Sequence, residues 1–306
     1  MKIKEEMKMH KLLFVPVSFV IFLYVLALPV KVDAQVELSA PEKVARGDAF
    51  LARASSSQPV DKFVFYWKGR SFPVNARYVQ GEGGQKIGVG EILLPVPLDE
   101  AARAQKLGVG TQMGNDRPAP ASVHVPIQFF DKQRPVQRLK VDKKYVHPPA
   151  SEEERIKNDR KKVQAALQEN LPERLWEMPF KRPVPGQPSS LFGMKRVFNG
   201  EPRSVHKGLD LRGASGTPIH AMADGRVALV DNLYYSGNTV YLNHRDGVFS
   251  AYLHMSEPKV KEGQMVKKGD VIGLVGATGR VTGPHLHLSM IVQGQSVDPQ
   301  PFVDHR

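Results

Sequence analysis

The sequence predicts a mainly β protein with two β domains joined by a helical and proline-rich linker. Short apolar or alternating stretches of four to eight residues recur along most of the chain, as is typical of strands. The 306 residues include 26 glycines and 24 prolines, which suits many turns. Only one segment has clear helical periodicity. The length allows two modest domains and a connector.

Residues 1–34 differ from the rest of the chain. A basic start is followed by a 19-residue apolar run and by the small-residue pattern VDA at 32–34. This order is typical of a secretory signal peptide, and we expect cleavage after Ala34. The run is long for a signal, so an uncleaved membrane anchor is the alternative. Pro16 inside the run favours cleavage, and we expect an exported protein.

Composition limits the chemistry. The chain has no cysteine, which excludes disulfides, a thiol nucleophile and zinc–thiolate sites, so any metal site must use His, Asp or Glu. The net charge is +12, and the first 34 residues carry five lysines and three acidic residues, so the remainder keeps +10. This charge favours an anionic partner such as nucleic acid, a membrane surface or an acidic polymer. General solubility is the alternative explanation.

Residues 35–147 predict an Ig-like β-sandwich. At least five strands in about 110 residues, separated by Gly/Pro/Asn clusters, are typical of a small antiparallel sandwich. No catalytic constellation occurs here, and His124 is interpreted as structural. The strand candidates are VELSAP, AFLARAS, KFVFYWKG, GEILLPVPL and SVHVPIQFF.

Residues 148–190 predict a linker that is first helical and then extended. Ser151 followed by three glutamates is a helix start, and we expect a helix over 151–170 that acts as a connector. The proline-rich stretch after it predicts an extended chain, anchored on a neighbouring domain by Trp176 and Phe180. The narrow apolar stripe of the helix is Ile156, Val163, Ala166 and Leu167.

Residues 191–306 predict a second, compact antiparallel β domain. No long helical pattern occurs in it, while glycine and histidine become frequent. The five strand candidates are GRVALVD, GNTVYLNH, VFSAYLHM, GDVIGLVG and PHLHLSMIV.

The stretch GPHLHL at 283–288 places two histidines on one face of a strand. His285 and His287 are i and i+2, about 6.6 Å apart along the strand, and the leucines beside them point to the other face. One imidazole could bind a metal while the other stands beside it. Both could bind only with local bending. The alternative is a strand whose outward positions merely happen to be polar.

His206 and Asp210 form a second candidate pair. In a straight strand they would lie about 13 Å apart, too far to share an ion. Gly208 permits a bend that brings them together. With either His285 or His287 they make a His₂Asp set, which with an open fourth position is typical of a catalytic zinc that activates water. His254 and the remaining histidine could then move protons.

These residues occur in an order that resembles a known family. HKGLD at 206–210, YLHMS at 252–256 and TGPHLH at 282–287, within residues 191–300, resemble a lysostaphin-type, LytM-like zinc metallopeptidase domain. The resemblance implies a β groove with one zinc ion per chain on its floor. Its implied ligands are His206, Asp210 and His287, with His254 and His285 beside the reacting carbonyl. By the same resemblance, Arg203 pairs with a substrate carboxylate and Asn199 caps the groove.

The resemblance also implies a function. We expect an exported, periplasmic or cell-envelope-associated zinc hydrolase of a bacterium that cleaves peptide cross-links of peptidoglycan as a D,D-endopeptidase. We expect peptidoglycan stem peptides and not nucleic acid as partners, and contact with the membrane only through the signal segment if it stays uncleaved. The sequence does not give the oligomeric state, and we expect a monomer. The alternatives are a catalytically silent scaffold that activates another hydrolase, and a pure binding module. We also expect the upstream segments to restrict the groove.

Overall fold

The structure is a computed structural model that describes residues 36–81, 83–101, 103–169 and 173–303. This part of the chain contains 22 strands and a single α-helix, so the predicted mainly β class is confirmed. The predicted signal peptide, residues 1–34, lies outside the described residues. Among the described residues, no helix is long and apolar enough to cross a bilayer.

The N-terminal part is a sandwich of two sheets. One sheet has the strand order β1-β3-β7-β6, and the other has the order β2-β9-β8-β4-β5, in which β2 runs parallel to β9. The strands are β1 (Val36–Ser39), β2 (Lys43–Ala45), β3 (Ala49–Ser56), β4 (Lys62–Trp67), β5 (Arg70–Asn75), β6 (Arg77–Gln80), β7 (Lys86–Pro95), β8 (Gln105–Gln112) and β9 (Val123–Phe130).

The two sheets share one apolar core. Phe50 and Leu94 enter it from the first sheet, and Phe63 and Leu107 enter it from the second, all buried. Trp67 packs edge-to-face on Phe50, with ring centroids 5.1 Å apart, and its indole N–H donates to a backbone carbonyl at 2.9 Å. Because the one polar atom of this ring is paired, its whole surface can be buried.

The strand that leaves the sandwich belongs to a different sheet. β10 pairs in parallel with β12, and β12 pairs with β13, so that a three-stranded sheet stands apart from the sandwich. β10 falls inside the range 35–147 predicted for the sandwich, yet its backbone pairs with the C-terminal part. The strands are β10 (Val136–Leu139), β12 (Lys195–Phe198) and β13 (Glu201–Val205).

The helix α1 (Glu153–Ala166) lies within the predicted range, but it does not begin at Ser151. Residues 150–152 form a 3₁₀ turn, and Glu152 occupies the cap position without a side-chain hydrogen bond. Glu153 and Glu154 lie in the first turn, where negative charge interacts favourably with the helix dipole. Three residues of the predicted apolar stripe, Val163, Ala166 and Leu167, pack on the sheet of the C-terminal domain in a cluster with Tyr241, Phe249 and Ile291.

The extended part of the linker is built into the C-terminal core. Trp176 and Phe180 are 2% and 0% exposed and pack with strand residues of that domain, as predicted for anchors. The strand β11 (Pro188–Ser190), at the end of the predicted linker, pairs with β14 (Leu209–Arg212) of the C-terminal sheet. The linker therefore contributes to the hydrophobic stability of the C-terminal domain and is more than a spacer.

The C-terminal domain is one ten-stranded sheet. Its main order is β11-β14-β21-β18-β17-β16-β19, and β15, β20 and β22 pair at its sides. Leu209, Leu211, Leu286 and Leu288 point to one face and are fully buried. The strands are β11 (Pro188–Ser190), β14 (Leu209–Arg212), β15 (Pro218–His220), β16 (Gly225–Leu233), β17 (Gly237–Asn243), β18 (Val248–Pro258), β19 (Met265–Val266), β20 (Val271–Val275), β21 (His285–Val292) and β22 (Gln295–Val297).

A lysine that forms salt bridges to both parts connects the sandwich to the C-terminal domain. Lys132 Nζ lies 2.7 Å from Asp48 of the sandwich and 3.1 Å from Asp298 of the C-terminal domain. The Asp298 N–H donates to the Gly47 carbonyl at 2.7 Å. Burial raises the pKa of Asp48 to about 6, against the opposing pull of Lys132. The two parts are therefore joined by partly buried polar contacts.

A buried histidine makes stability depend on pH. His244 is 0% exposed, and its Nδ1–H donates to the Asp224 carbonyl at 2.7 Å. Burial lowers the pKa of His244 to about 4, below its ordinary value near 6.5. The unfolded chain therefore binds this proton more readily between those values. The contribution of neutral, buried His244 to the unfolding free energy is fully present above pH 6.5 and is lost as the pH falls toward 4.

We expect His244→Gln to remove this dependence. The wild-type apo protein should lose about 3 kcal/mol more unfolding free energy than the variant between pH 7.5 and pH 4. Urea unfolding at a series of pH values measures this difference, with His124→Gln on the exposed sandwich surface as the control. Parallel pH curves for wild type and His244→Gln would contradict the assignment.

Candidate metal centre and groove

A groove of about 440 Å³ lies on the face of the C-terminal sheet opposite the leucines. Side chains of β14, β18 and β21 contribute to its lining together with the loop before β21. One side is contributed by β10, by β12 and by Val141, which follows β10. The groove is therefore assembled from the C-terminal sheet and from a strand that comes directly after the sandwich.

Three buried side chains converge in this groove. His206 Nε2 lies 3.0 Å from His287 Nδ1 and 3.0 Å from Asp210 Oδ1, and His287 Nδ1 lies 2.7 Å from the same oxygen. The three residues are 2–8% exposed. Of the described residues, these form the group of His and acidic side chains able to hold a metal ion.

Strand pairing brings these residues together. Asp210 and His287 are direct cross-strand partners in the antiparallel β14–β21 pair, so their side chains leave the same face at the same height. His206 comes just before β14, where the chain turns in from β13. The separation estimated for a straight strand does not apply, because the bend precedes Leu209.

Gly208 makes room at this point. A Cβ atom at this position would lie 2.4 Å from His287 Nε2 and 2.6 Å from the Leu288 carbonyl oxygen. The sequence suggested that this glycine serves a bend. In the structure residue 208 does lie in a bend, with a φ outside the left-handed region, and it also allows close approach of the backbone to the His287 ring.

The hydrogen bonds of the two imidazoles set their tautomers. His206 Nδ1 lies 2.8 Å from the Leu191 carbonyl, which can only accept, so Nδ1 carries the hydrogen. His287 Nε2 lies 2.9 Å from Ser289 Oγ, whose hydroxyl donates to the Lys207 carbonyl and therefore accepts from Nε2. In their neutral forms both rings thus turn a lone pair toward the Asp210 carboxylate.

Three lone pairs that face one another require a positive charge between them. Burial would raise the pKa of Asp210, but the contacts with His206 and His287 hold it well below its usual range. Burial also lowers the pKa of His287, against the pull of Asp210. The carboxylate therefore stays charged while a proton on His287 is disfavoured, and a metal cation is the natural occupant.

The donor set fits zinc. Bonds of 2.0–2.2 Å in a tetrahedron separate neighbouring ligand atoms by about 3.3 Å, close to the 2.7–3.0 Å separations observed. Two imidazole nitrogens and one carboxylate oxygen are ligands that zinc commonly takes, and each ligand has an outer hydrogen-bond partner. Three protein ligands leave a fourth position open.

His285 and His254 lie beside this centre without joining it. His285 Nε2 is 3.8 Å from Asp210 Oδ1, and the His254 and His285 ring centroids are 5.1 Å apart. The Nδ1 of His285 donates to the Gly283 carbonyl at 2.9 Å, and that of His254 donates to the Thr278 carbonyl at 2.8 Å. Each ring therefore keeps its Nε2 as a lone-pair acceptor.

A β-bulge sets the direction of the His254 side chain. The register between β17 and β18 shifts between Asn238 and Val240, and His254 has φ = 64°, in the left-handed region. Non-glycine residues in this region are uncommon, and bulges occur beside functional sites because they redirect a side chain. Burial, aided by the neighbouring His287 and His285, lowers the pKa of His254 to about 3, so it is neutral at physiological pH.

The other predicted site residues have different surroundings. Asn199 has φ = 51°, and its carboxamide both accepts from and donates to the backbone of Val141. It thus fastens the segment after β10, next to the groove. Arg203 belongs to β13, but its side chain lies outside the described residues.

Sequence patterns did not predict three polar residues that lie beside the candidate metal ligands. Ser190 Oγ lies 3.1 Å from His206 Nδ1, and Arg196 donates to Asp210 Oδ2 at 2.7 Å. Gln137 accepts hydrogen bonds from both of them. Gln137 and Arg196 are 59 residues apart, and no local pattern predicts their contact.

The groove is lined by several positively charged side chains. Lys207 and Arg212 line it at the two ends of the Asp210 segment, and Arg212 is the cross-strand partner of His285. Arg280 stacks between the rings of Phe198 and Tyr235, with its guanidinium carbon 4.9 and 4.7 Å from the ring centroids. Such a surface attracts anionic groups.

Fold and site together define a β-sheet domain with a buried His₂Asp group, able to hold a metal ion, on the floor of a cationic groove. The profile of Peptidase family M23 matches residues 204–299, which include all three candidate ligands as well as His254 and His285. The chain therefore carries a Peptidase family M23 domain, homologous to LytM- and lysostaphin-type peptidoglycan endopeptidases.

Named relatives show the same similarity. Peptidoglycan DD-endopeptidase ShyA of Vibrio cholerae is 46% identical over 111 residues, which are 36% of this chain and 26% of ShyA. DD-carboxypeptidase/endopeptidase Mpg of Neisseria meningitidis is 43% identical over 95 residues, 31% of this chain and 22% of Mpg. The chain thus matches only about a quarter of the length of these curated relatives.

A solved structure extends the similarity beyond this domain. A crystal structure from Pseudomonas aeruginosa, assigned to peptidase M23, superimposes with a TM-score of 0.58 at 28% identity. The match covers 85% of this chain and 94% of that one. A match of this length extends beyond the C-terminal domain into the sandwich.

Proposed function

We propose that this protein is an exported zinc metallopeptidase that hydrolyses peptide cross-links of peptidoglycan, as a D,D-endopeptidase. The observation that carries the proposal is the convergence of His206 Nε2, Asp210 Oδ1 and His287 Nδ1 on the floor of an open groove within an M23 domain. These atoms would hold one zinc ion per chain, and the ion would supply a Lewis acid able to activate water for attack on an amide.

His254 and His285 are the proton carriers of this proposal. Their Nε2 atoms are unprotonated in the neutral rings, because each Nδ1–H is donated to a backbone carbonyl. A neutral imidazole beside the centre can accept a proton from water and return one to the leaving amine. In its protonated form it can also stabilise the developing oxyanion.

The substrate class is supported by charge. ShyA and Mpg are named for D,D-peptidase activity, and peptidoglycan stem peptides carry free carboxylates. Lys207 and Arg212 offer cationic partners at the two ends of the metal centre. Arg203 as a further carboxylate partner, Asn199 as a cap of the groove, and a monomeric chain without a nucleic-acid partner remain predictions.

Export is part of the proposal because peptidoglycan lies outside the cytoplasmic membrane. It is supported by the basic start, the apolar run and the VDA pattern of residues 1–34. The net charge of +10 that remains after Ala34 suits an anionic wall. Cleavage after Ala34 places the protein in the periplasm or the cell envelope.

Digestion of purified peptidoglycan tests this function. The zinc-loaded protein should release soluble fragments, and mass spectrometry should find products that each gained one water at a cross-linking amide. The chelated protein should release nothing until zinc is returned. The masses also distinguish endopeptidase products from the loss of a terminal alanine by carboxypeptidase action.

Two outcomes would contradict the proposal. Cleavage that is unchanged after complete removal of zinc would exclude a zinc peptidase. No cleavage at any zinc concentration, together with co-sedimentation on peptidoglycan, would favour the scaffold that activates another hydrolase. A binding module would show the same sedimentation without stimulating a partner hydrolase.

A further inference from the structure

We propose that Gln137, on the strand that leaves the sandwich, is a positioning residue that holds the metal ligands in place and so sets the affinity for zinc. Gln137 lies outside the M23 match, which begins at residue 204. The inference rests on the proposed metal site and not on peptidase activity.

One oxygen joins two branches of hydrogen bonds. Gln137 Oε1 accepts from Ser190 Oγ at 2.9 Å and from Arg196 Nε at 3.2 Å. Ser190 Oγ lies 3.1 Å from His206 Nδ1, and Arg196 donates to Asp210 Oδ2 at 2.7 Å. The carboxamide therefore supports two of the three ligands through one intermediate residue each.

Burial makes these contacts matter. Ser190 is 2% exposed, and the side chains of Arg196 and Asp210 are 16% and 8% exposed. Loss of the Gln137 oxygen would leave the guanidinium Nε–H and the Ser190 hydroxyl without the acceptor that fixes their orientation toward Asp210 and His206. Outer partners that orient metal ligands typically change metal affinity by about 10–100-fold when they are removed.

The backbone places Gln137 reliably. In the parallel β10–β12 pair, Gln137 is the direct Cα partner of Arg196, so the register of this short sheet brings the two side chains together. Four residues before β10, Lys132 joins the sandwich to the C-terminal domain through Asp48 and Asp298. The position of the sandwich is thus coupled to the metal ligands.

Zinc affinity of the full chain tests this inference. The apo proteins are titrated with zinc in competition with a chromogenic chelator, and circular dichroism confirms that each is folded. Gln137→Leu, which removes the acceptor at similar volume, should weaken zinc binding about tenfold or more. Gln137→Glu restores an acceptor and should stay within about threefold of wild type. The control Arg138→Ala changes the exposed neighbour on the same strand and should bind like wild type.

The inference is overturned if Gln137→Leu binds zinc as tightly as wild type, or if Gln137→Leu and Arg138→Ala lose the same affinity. Gln137→Ala replaces the leucine variant if that one does not fold, with the same expected loss. The zinc titration needs no substrate. A protein that cleaves no peptidoglycan would therefore refute the proposed function, while the effect of Gln137 on zinc affinity could still be measured.

Discussion

His287→Ala is expected to abolish both zinc retention and cleavage of peptidoglycan. The substitution removes His287 Nδ1, one of three candidate ligand atoms. Only the His206 imidazole and the Asp210 carboxylate then remain. A two-ligand site loses the tetrahedral set that binds zinc at neutral pH. Loss of several kcal/mol of transition-state stabilisation corresponds to at least about 10³-fold in rate. Metal analysis after dialysis and fragment release from peptidoglycan measure the two effects.

His124→Ala is the matched control for this experiment. His124 is exposed on β9 of the sandwich, far from the groove lining, and its loss should change neither zinc content nor rate. Equal product from wild type and His287→Ala would rule out the zinc peptidase mechanism. Retained zinc in His287→Ala would show that another residue, with His285 the nearest candidate, completes the ligand set.

Gly208→Ala should weaken the same centre although it replaces none of the three candidate ligands. The added Cβ would lie 2.4 Å from His287 Nε2 and 2.6 Å from the Leu288 carbonyl oxygen, and neither atom is the free end of a flexible side chain. The ring must turn away and lose its hydrogen bond with Ser289. We expect zinc affinity to fall about 10–100-fold and stability to fall by about 1–3 kcal/mol.

Gly213→Ala provides the comparison. Gly213 follows β14, and the atoms nearest to a Cβ there would belong to the Val275 side chain, at 3.1 Å or more, so a shift of a few tenths of an ångström would suffice. Zinc affinity of this variant should stay near that of wild type, and its thermal unfolding should change less than that of Gly208→Ala. If both alanine variants bind zinc equally well, the close contact at Gly208 does not control the site.

The gating of the groove by upstream segments stays a prediction. Deletion of residues 35–185 would not test it, because Trp176 and Phe180 belong to the C-terminal core and Gln137 supports the metal ligands. A loss of activity would follow from either cause. Substitutions at Leu139 or Val141, which line the groove beside β10, change the wall and keep the core intact.

Much of the fold was predictable because strand signals are local. Five strands in each β domain and the helix were located from apolar alternation and turn residues, and the two leucines of GPHLHL do face the core. The shorter strands between them, such as β2, β6 and β15, gave no clear local signal. The place of β10 was not predictable. Its pairing with β12 depends on a register between segments about 60 residues apart, and no local period records such a register.

The candidate site shows the same division. The lack of cysteine, the HxH pattern and HKGLD indicated which side chains could bind a metal, and family resemblance assigned the ligands. The sequence did not indicate the outer contacts of Ser190, Arg196 and Gln137, or the close approach of the Gly208 backbone to the His287 ring. Those depend on atoms that approach from other strands.

The sequence by itself determined the β class, the residue types open to a metal site, and the face on which His285 and His287 stand. Side-chain direction in a strand alternates with a period of two, so it is set by neighbours in the chain. Only the tertiary structure decided that His287 lies opposite Asp210 while His285 lies opposite Arg212. Cross-strand register makes that choice, because a shift of one residue would exchange every partner along the strand.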